Sequence, residues 1–263
     1  MPYPNFDGKH AHDALVNPSD LHRWRVGRGL IPTEAPGPAA VILTYQPALW
    51  DAAVGAEPTS EFAGGTRSWR MQTLDETAGR VGVMGNFGLG APAAAIVIEE
   101  LVCFGTRRFL SIGTAGSLQP SLPVGGVVLC DGAVRDEGVS HHYLPPGTSA
   151  TPSSSLTDAL GQELDASGTS YVRGSSWTID APYRETVEEA RHYQGQGVQC
   201  VEMEAAALFA VGRHRGVEVA AAFCISDLLG RPRMGTAIRL RGPRARNVEP
   251  LSGRPALFGG RER

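Results

Sequence analysis

Short apolar runs recur through the middle of the chain, and between them lie stretches whose apolar positions return at helical spacing. Runs at 40–43, 80–85, 108–113, 126–130 and 219–226, rich in Val, Ile, Leu and Ala, predict buried strands. Residues 91–104 predict a helix: Pro92 suits a first turn, whose amide positions lack partners anyway, and Gly105 can take the left-handed conformation that stops it. A second helix is expected over 204–215, ending before Gly216. Such alternation predicts an α/β fold of three α/β/α layers around a twisted, mostly parallel central sheet.

The flanks read differently. Residues 1–38, rich in Pro, Gly, His and Asp, form an expected N-terminal arm with a short helix near 18–24, suited to lie on a neighbouring subunit. The α/β domain spans 39–230. Residues 231–263 read as a loose Arg-rich tail, with nine arginines against Glu249 and Glu262, a net of +7, and few apolar residues.

A chain of 263 residues with 42% hydrophobic residues can bury one large core, and nothing in it demands a second domain. Net charge is −3, so the residues before the tail carry −10, and nucleic acid is not an expected partner. Cys103, Cys130, Cys200 and Cys224 lie in or beside apolar runs without the close spacing of a metal site. They are expected as reduced thiols of a cytoplasmic protein that uses neither metal nor other cofactor. The N-terminus lacks a basic region followed by an apolar stretch, and no apolar run approaches the roughly 18 residues of a membrane span, so no membrane partner is expected.

Four segments carry candidate chemistry: Gly88-Leu89-Gly90-Ala91-Pro92, Ser111-Ile112-Gly113-Thr114-Ala115-Gly116, Val201-Glu202-Met203-Glu204 and Ile225-Ser226-Asp227. Each ends a buried run in small residues or a carboxylate, where open α/β sheets gather ligands. Residues 86–92 and 113–116 are expected as Gly-rich turns that bring backbone N–H groups near an anion or ribose oxygens, although steric tightness alone also accounts for such glycines. Thr114 adds a hydroxyl. Glu202 and Glu204 flank Met203 in an apolar stretch, where a carboxylate is expensive to bury without a partner. Ribose hydroxyls are one such partner, and the positive end of a helix is another. Asp227 reads equally as an acid beside a ligand and as a loop cap. His10 and His12 lie in the arm; His141-His142-Tyr143 reads as loop structure near the site, spaced poorly for a metal.

In order, the four segments resemble the nucleoside phosphorylase family, in its uridine and purine branch with the nucleosidases of the same fold, over roughly residues 39–229. The resemblance implies an enzyme that cleaves or forms the N-glycosidic bond of a nucleoside, as a homo-oligomer, dimer or hexamer. It assigns the ribose to Glu202, Met203, Glu204 and Thr114, with His10 reaching the 5′-hydroxyl of a neighbour's substrate. It assigns the base to Asp227, Ser226, Gly116 and Pro182, and the phosphate or nucleophile to Gly88, Ser111 and Thr114. Glu204 and Asp227 are the implied catalytic residues. Bond cleavage builds positive charge on the sugar and negative charge on the base, so an acid beside the base lowers the barrier. In purine-cleaving members an aspartate in the place of Asp227 meets purine N7. Uridine-cleaving members carry a Gln and Arg pair that Trp177-Thr178-Ile179-Asp180-Ala181-Pro182-Tyr183-Arg184 lacks, which favours purine.

The departures concern phosphate. Ser111 stands where typical members carry an arginine, and Tyr45-Gln46-Pro47-Ala48-Leu49 stands where they carry Gly-Asp-Pro with an arginine following. A further arginine, usually given by the neighbouring subunit, would fall near Gly64, with Arg67 and Arg70 close by. A dianion entering a dry pocket needs opposite charge to offset its desolvation. Water is therefore the expected nucleophile in preference to phosphate, with a phosphorylase and a non-catalytic nucleoside-binding protein as alternatives.

Overall fold

The expected strands form, and others join them, in the order β1 (Ala40–Thr44), β2 (Ser60–Ala63), β3 (Ser68–Thr73), β4 (Val81–Met84), β5 (Arg108–Ser117), β6 (Val127–Asp136), β7 (Tyr171–Ile179), β8 (Cys200–Glu202) and β9 (Glu218–Leu228). The computed structural model describes residues 4, 6–31, 37–54, 60–63 and 68–229. Gly64, Arg67 and the Arg-rich tail lie outside the described residues.

The strands make one sheet in the order β2-β3-β4-β1-β5-β8-β7-β6-β9, with an additional β5–β9 pairing. β1 is parallel to β4 and β5, β5 to β9, and β7 to β6 and β8. β2–β3, β3–β4, β5–β8 and β6–β9 are antiparallel. The sheet is therefore mixed where a mostly parallel one was expected, and the β5–β9 pairing joins β5, β8, β7, β6 and β9 into a closed ring. Strand length explains the difference. β5, β6 and β9 run for 10, 10 and 11 residues, long enough to meet different neighbours along their length. Register shifts at Ala115/Gly116 and Cys130/Gly132 interrupt the regular ladders, as bulges that bend strands do.

The helices are α1 (Pro18–Gly27), α2 (Pro47–Val54), α3 (Ala91–Cys103), α4 (Ser140–Tyr143), α5 (Ser154–Ala166), α6 (Val187–Gly195) and α7 (Ala205–Arg215). His141 and His142 thus lie on a short helix, where a loop was expected. Strand periodicity divides the core. Phe109, Val128, Val219 and Ala221 pack with α3 and α7, whereas Leu110, Leu129, Ala220 and Ala222 pack with Leu156 and Leu160 of α5. Arg215 of α7 clamps Glu99 of α3 through Nε (2.6 Å) and Nη2 (3.1 Å), fixing the two helices against each other. No helix among the described residues is long and apolar enough to cross a membrane.

Residues 113–116 are not a turn. They lie within β5 and pair with residues 223–227 of β9. Small size there serves close side-chain approach: a Cβ on Gly113 would stand 3.2 Å from the Tyr45 ring, and one on Gly116 would stand 2.8 Å from Leu229 Cδ1. Because β1, β4, β5 and β9 run the same way, Tyr45, the 85–90 turn, Thr114 and Asp227 all follow or end strands toward one edge. β8 arrives antiparallel, pairing Val201 with Gly116, and delivers Glu202, Met203 and Glu204 to that edge.

Candidate active site

A cleft of about 780 Å³ opens where these strand ends meet. Thr114, Gly116, Pro182, Glu202, Met203, Glu204, Ser226 and Asp227 all line it, whereas Gly88, Ser111 and His10 do not.

The link from β4 to α3 is wound through positive φ at Asn86 (58°), Gly88 (116°) and Gly90 (86°), which glycine accepts without Cβ strain. The winding aims Gly90 N at Glu204 Oε1, 2.6 Å away, while Gly90 O accepts from Ala94 N to open α3. The group that this Gly-rich turn holds is thus the protein's own carboxyl, that of Glu204.

Glu202 and Glu204, alike in sequence, differ in surroundings. Glu202 Oε1 accepts from Ser176 Oγ (3.0 Å) and Thr178 Oγ1 (2.5 Å), and its Oε2 accepts from Glu204 N and Ala205 N (2.7 Å each). It therefore ties β8 to β7 and caps the start of α7, which is the helix-end partner open to it from sequence. Burial pushes its carboxyl above the ordinary range, and these hydrogen bonds pull it back. Glu204 is buried in the cleft wall with Gly90 N on one oxygen. Burial, then the charge of Glu202, push its carboxyl up to about 8. Such a group is poised to gain from donors brought by a ligand.

Behind the cleft, Tyr45 Oη shares a hydrogen bond with buried Ser111 Oγ (3.1 Å), and Gln46 Nε2 donates to Thr114 Oγ1 (2.8 Å). Ser111 is thereby screened from the cleft by Tyr45. Burial and the charge of Glu204 push the Tyr45 phenol well above its usual value, so it stays neutral. Hydroxyls and an amide thus occupy the place where the family resemblance leads one to look for guanidinium groups. Arg191 of α6 is the sole cation among the described residues that line the cleft, and Arg70 is exposed outside it.

At the other end Ser226 Oγ donates to Asp227 Oδ1 at 2.7 Å. Glu185, also in the lining, comes from the segment between β7 and α6; burial and then the charge of Asp227 raise its carboxyl to about 7. Sequence reasoning missed Glu185 and Arg191, and named Tyr45 only as part of the stretch that replaces the family's phosphate segment. The local signal around Glu185 is a capping box, Thr186 with Glu189, which marks a helix start and hides its neighbour. His10 bonds the His141 carbonyl through Nε2 (2.9 Å) and Lys9 Nζ meets His142 Nδ1 (2.6 Å), so this part of the arm rests on α4, away from the cleft of its own chain.

Residues 50–245 match the Phosphorylase superfamily. The chain belongs to that superfamily. Among its members, the guanosine phosphorylase of Halorubrum lacusprofundi is 37% identical over 141 residues, covering 53% of this chain and 58% of that protein. The uridine phosphorylase of Treponema pallidum is 32% identical over 164 residues, covering 58% and 62%. The chain spans less than two thirds of the length of either relative. The solved uridine phosphorylase of Vibrio fischeri ES114, complexed with 6-hydroxy-1-naphthoic acid, matches with a TM-score of 0.65 at 26% identity over 74% of this chain and 81% of that one. Preference for water over phosphate finds no support among these phosphorylase relatives.

Proposed function

We propose that this protein cleaves the N-glycosidic bond of a purine nucleoside by phosphorolysis. The carrying observation is the division between the two glutamates. Glu202 is satisfied by four donors of the protein, whereas Glu204, in the same cleft wall, is held by Gly90 N and placed to take donors from a ligand. Ribose 2′- and 3′-hydroxyls supply such donors while the Met203 thioether packs on the sugar. Positive charge developing on the sugar is then offset by Glu204, and the departing base is met by Asp227, oriented by Ser226, between Gly116 and Pro182. Thr114 and Gln46 flank the nucleophile side. Asp227, the absence of a Gln and Arg pair at 177–184, and the guanosine-cleaving relative favour purine.

The relatives' names favour phosphate, and so reverse the expectation of water. Hydrolysis is kept as a second reading by one observation, the neutral Tyr45, Ser111, Gln46 and Thr114 group. A dimer or hexamer belongs to this reading, and the helices packed on alternate sheet residues support a three-layer architecture.

Base release from inosine, guanosine and uridine, measured with and without phosphate, tests this. Expected is release that rises and saturates with phosphate, fastest on a purine nucleoside, with ribose 1-phosphate as product. Phosphate-independent release yielding free ribose would establish hydrolysis in its place, and binding without release would leave a nucleoside-binding protein.

A further inference from the structure

The carboxylates of Glu185 and Asp227 both line the cleft, and the chemistry above uses one of them. Glu185 follows the short 3-10 helix Pro182–Arg184 and precedes α6, whereas Asp227 lies near the end of β9. Asp227 Oδ1 is engaged by Ser226 Oγ at 2.7 Å. Glu185 is half-buried, and among the described residues no side chain or backbone amide hydrogen-bonds its carboxylate. Carboxylates that face one cleft repel when both are ionised, and this repulsion favours the protonated form of Glu185.

Resting on the reading of the protein as a purine nucleoside phosphorylase, we infer that Glu185, which lines the cleft with Asp227, is the general acid for base departure. Burial, Asp227 and Glu189, in that order, raise the Glu185 carboxyl to about 7, so a large fraction is protonated at neutral pH. The other charged groups nearby are Arg184, just before it in the chain, and Arg191 on α6, while Glu189 is tied up by Thr186. The Glu185 proton passes to N7 of the purine as the C1′–N9 bond breaks and its electron pair moves onto the base. An oxygen of hydrogen phosphate forms the new bond to C1′. The proton left on the phosphoester goes to solvent and Glu185 recovers one, so the step consumes no net proton.

The experiment compares kcat/KM of wild type, Glu185→Gln and Asp227→Asn on inosine and on 7-methylguanosine, from acid to alkaline pH. The base of 7-methylguanosine already carries a positive charge and leaves without an added proton. Glu185→Gln is expected to lose about 100-fold or more on inosine but less than about tenfold on 7-methylguanosine. The retained 7-methylguanosine rate also reports that the variant is folded. With Glu204 ionising near 8 and Glu185 losing its proton near 7, the wild-type inosine profile should be bell-shaped with its fall near pH 8. The alkaline limb should be absent in Glu185→Gln, and in Asp227→Asn, where the repelling charge is gone, the profile should narrow and weaken as the Glu185 carboxyl moves to lower pH. Equal losses on the two nucleosides, no loss on inosine, or an unchanged alkaline limb in Glu185→Gln would overturn the inference while the phosphorylase reading stands. A wild type inactive on both nucleosides would overturn that reading and this inference together.

Discussion

Glu204→Gln is expected to lower kcat/KM for a purine nucleoside by about 30- to 1,000-fold, equivalent to about 2 to 4 kcal/mol of lost transition-state stabilisation. The amide keeps the shape and one acceptor oxygen for Gly90 N, but it cannot offset the positive charge that grows on the sugar. The same substitution should act oppositely on stability. The folded carboxyl of Glu204 titrates near 8, above its ordinary 4.5, so the folded state holds the proton more tightly than the unfolded one. Stability of the ligand-free protein therefore falls as pH rises from 4.5 through about 8. Glutamine carries no such burden. At alkaline pH the Glu204→Gln protein should melt at a higher temperature than wild type while turning over far more slowly. Steady-state assays paired with thermal melts at acid and alkaline pH check both halves, and a folded variant with unchanged turnover would remove Glu204 from the mechanism.

Glu202→Ala should destabilise the fold by about 3 to 5 kcal/mol, because it strips the acceptor from four buried donors at once. Two of these are amides at the start of α7, whose N-terminal groups have no partner within the helix. The others are Ser176 and Thr178 of β7, and Thr178 Oγ1 also accepts from Ala206 N at 3.0 Å, so a shift there reaches α7 a second time. Glu202→Gln retains an acceptor at Oε1 and should cost less, its amide nitrogen facing the α7 donors unfavourably. Urea unfolding of the three proteins measures the order. An alanine variant with the wild-type midpoint would show that Glu202 is not the joint between β7, β8 and α7.

α3 and α7 and the starts of β1, β4, β5, β6 and β9 were legible in the chain, since an apolar run punctuated by Pro92, Gly105 or Gly216 is a local signal, but β5 and β6 run on to Ser117 and Asp136, past the expected ends at 113 and 130. β8 was not legible, being three residues long, nor was β7, which puts exposed Val172 and Arg173 beside buried Trp177. Composition and motif likewise placed Glu202, Met203, Glu204, Thr114 and Asp227 near one site, because charge in an apolar stretch is costly wherever the chain folds. Which protein donors each glutamate meets depended on Gly90, 114 residues from Glu204, and on Ser176 and Thr178, 26 and 24 residues from Glu202. Glycines at 113 and 116 announced tight geometry, yet whether that meant a turn or a strand under the Tyr45 ring was decided by pairing with β9. Ser111 sat in a motif but lies behind Tyr45, and Glu185 sat in an ordinary helix start but lines the same cleft as Asp227. The sequence by itself determined where apolar runs stop and where charge must find a partner, because those are properties of neighbouring residues. Only the tertiary structure decided which partner each charge found, because hydrogen bonds and Coulomb terms depend on distances that strand order and register set.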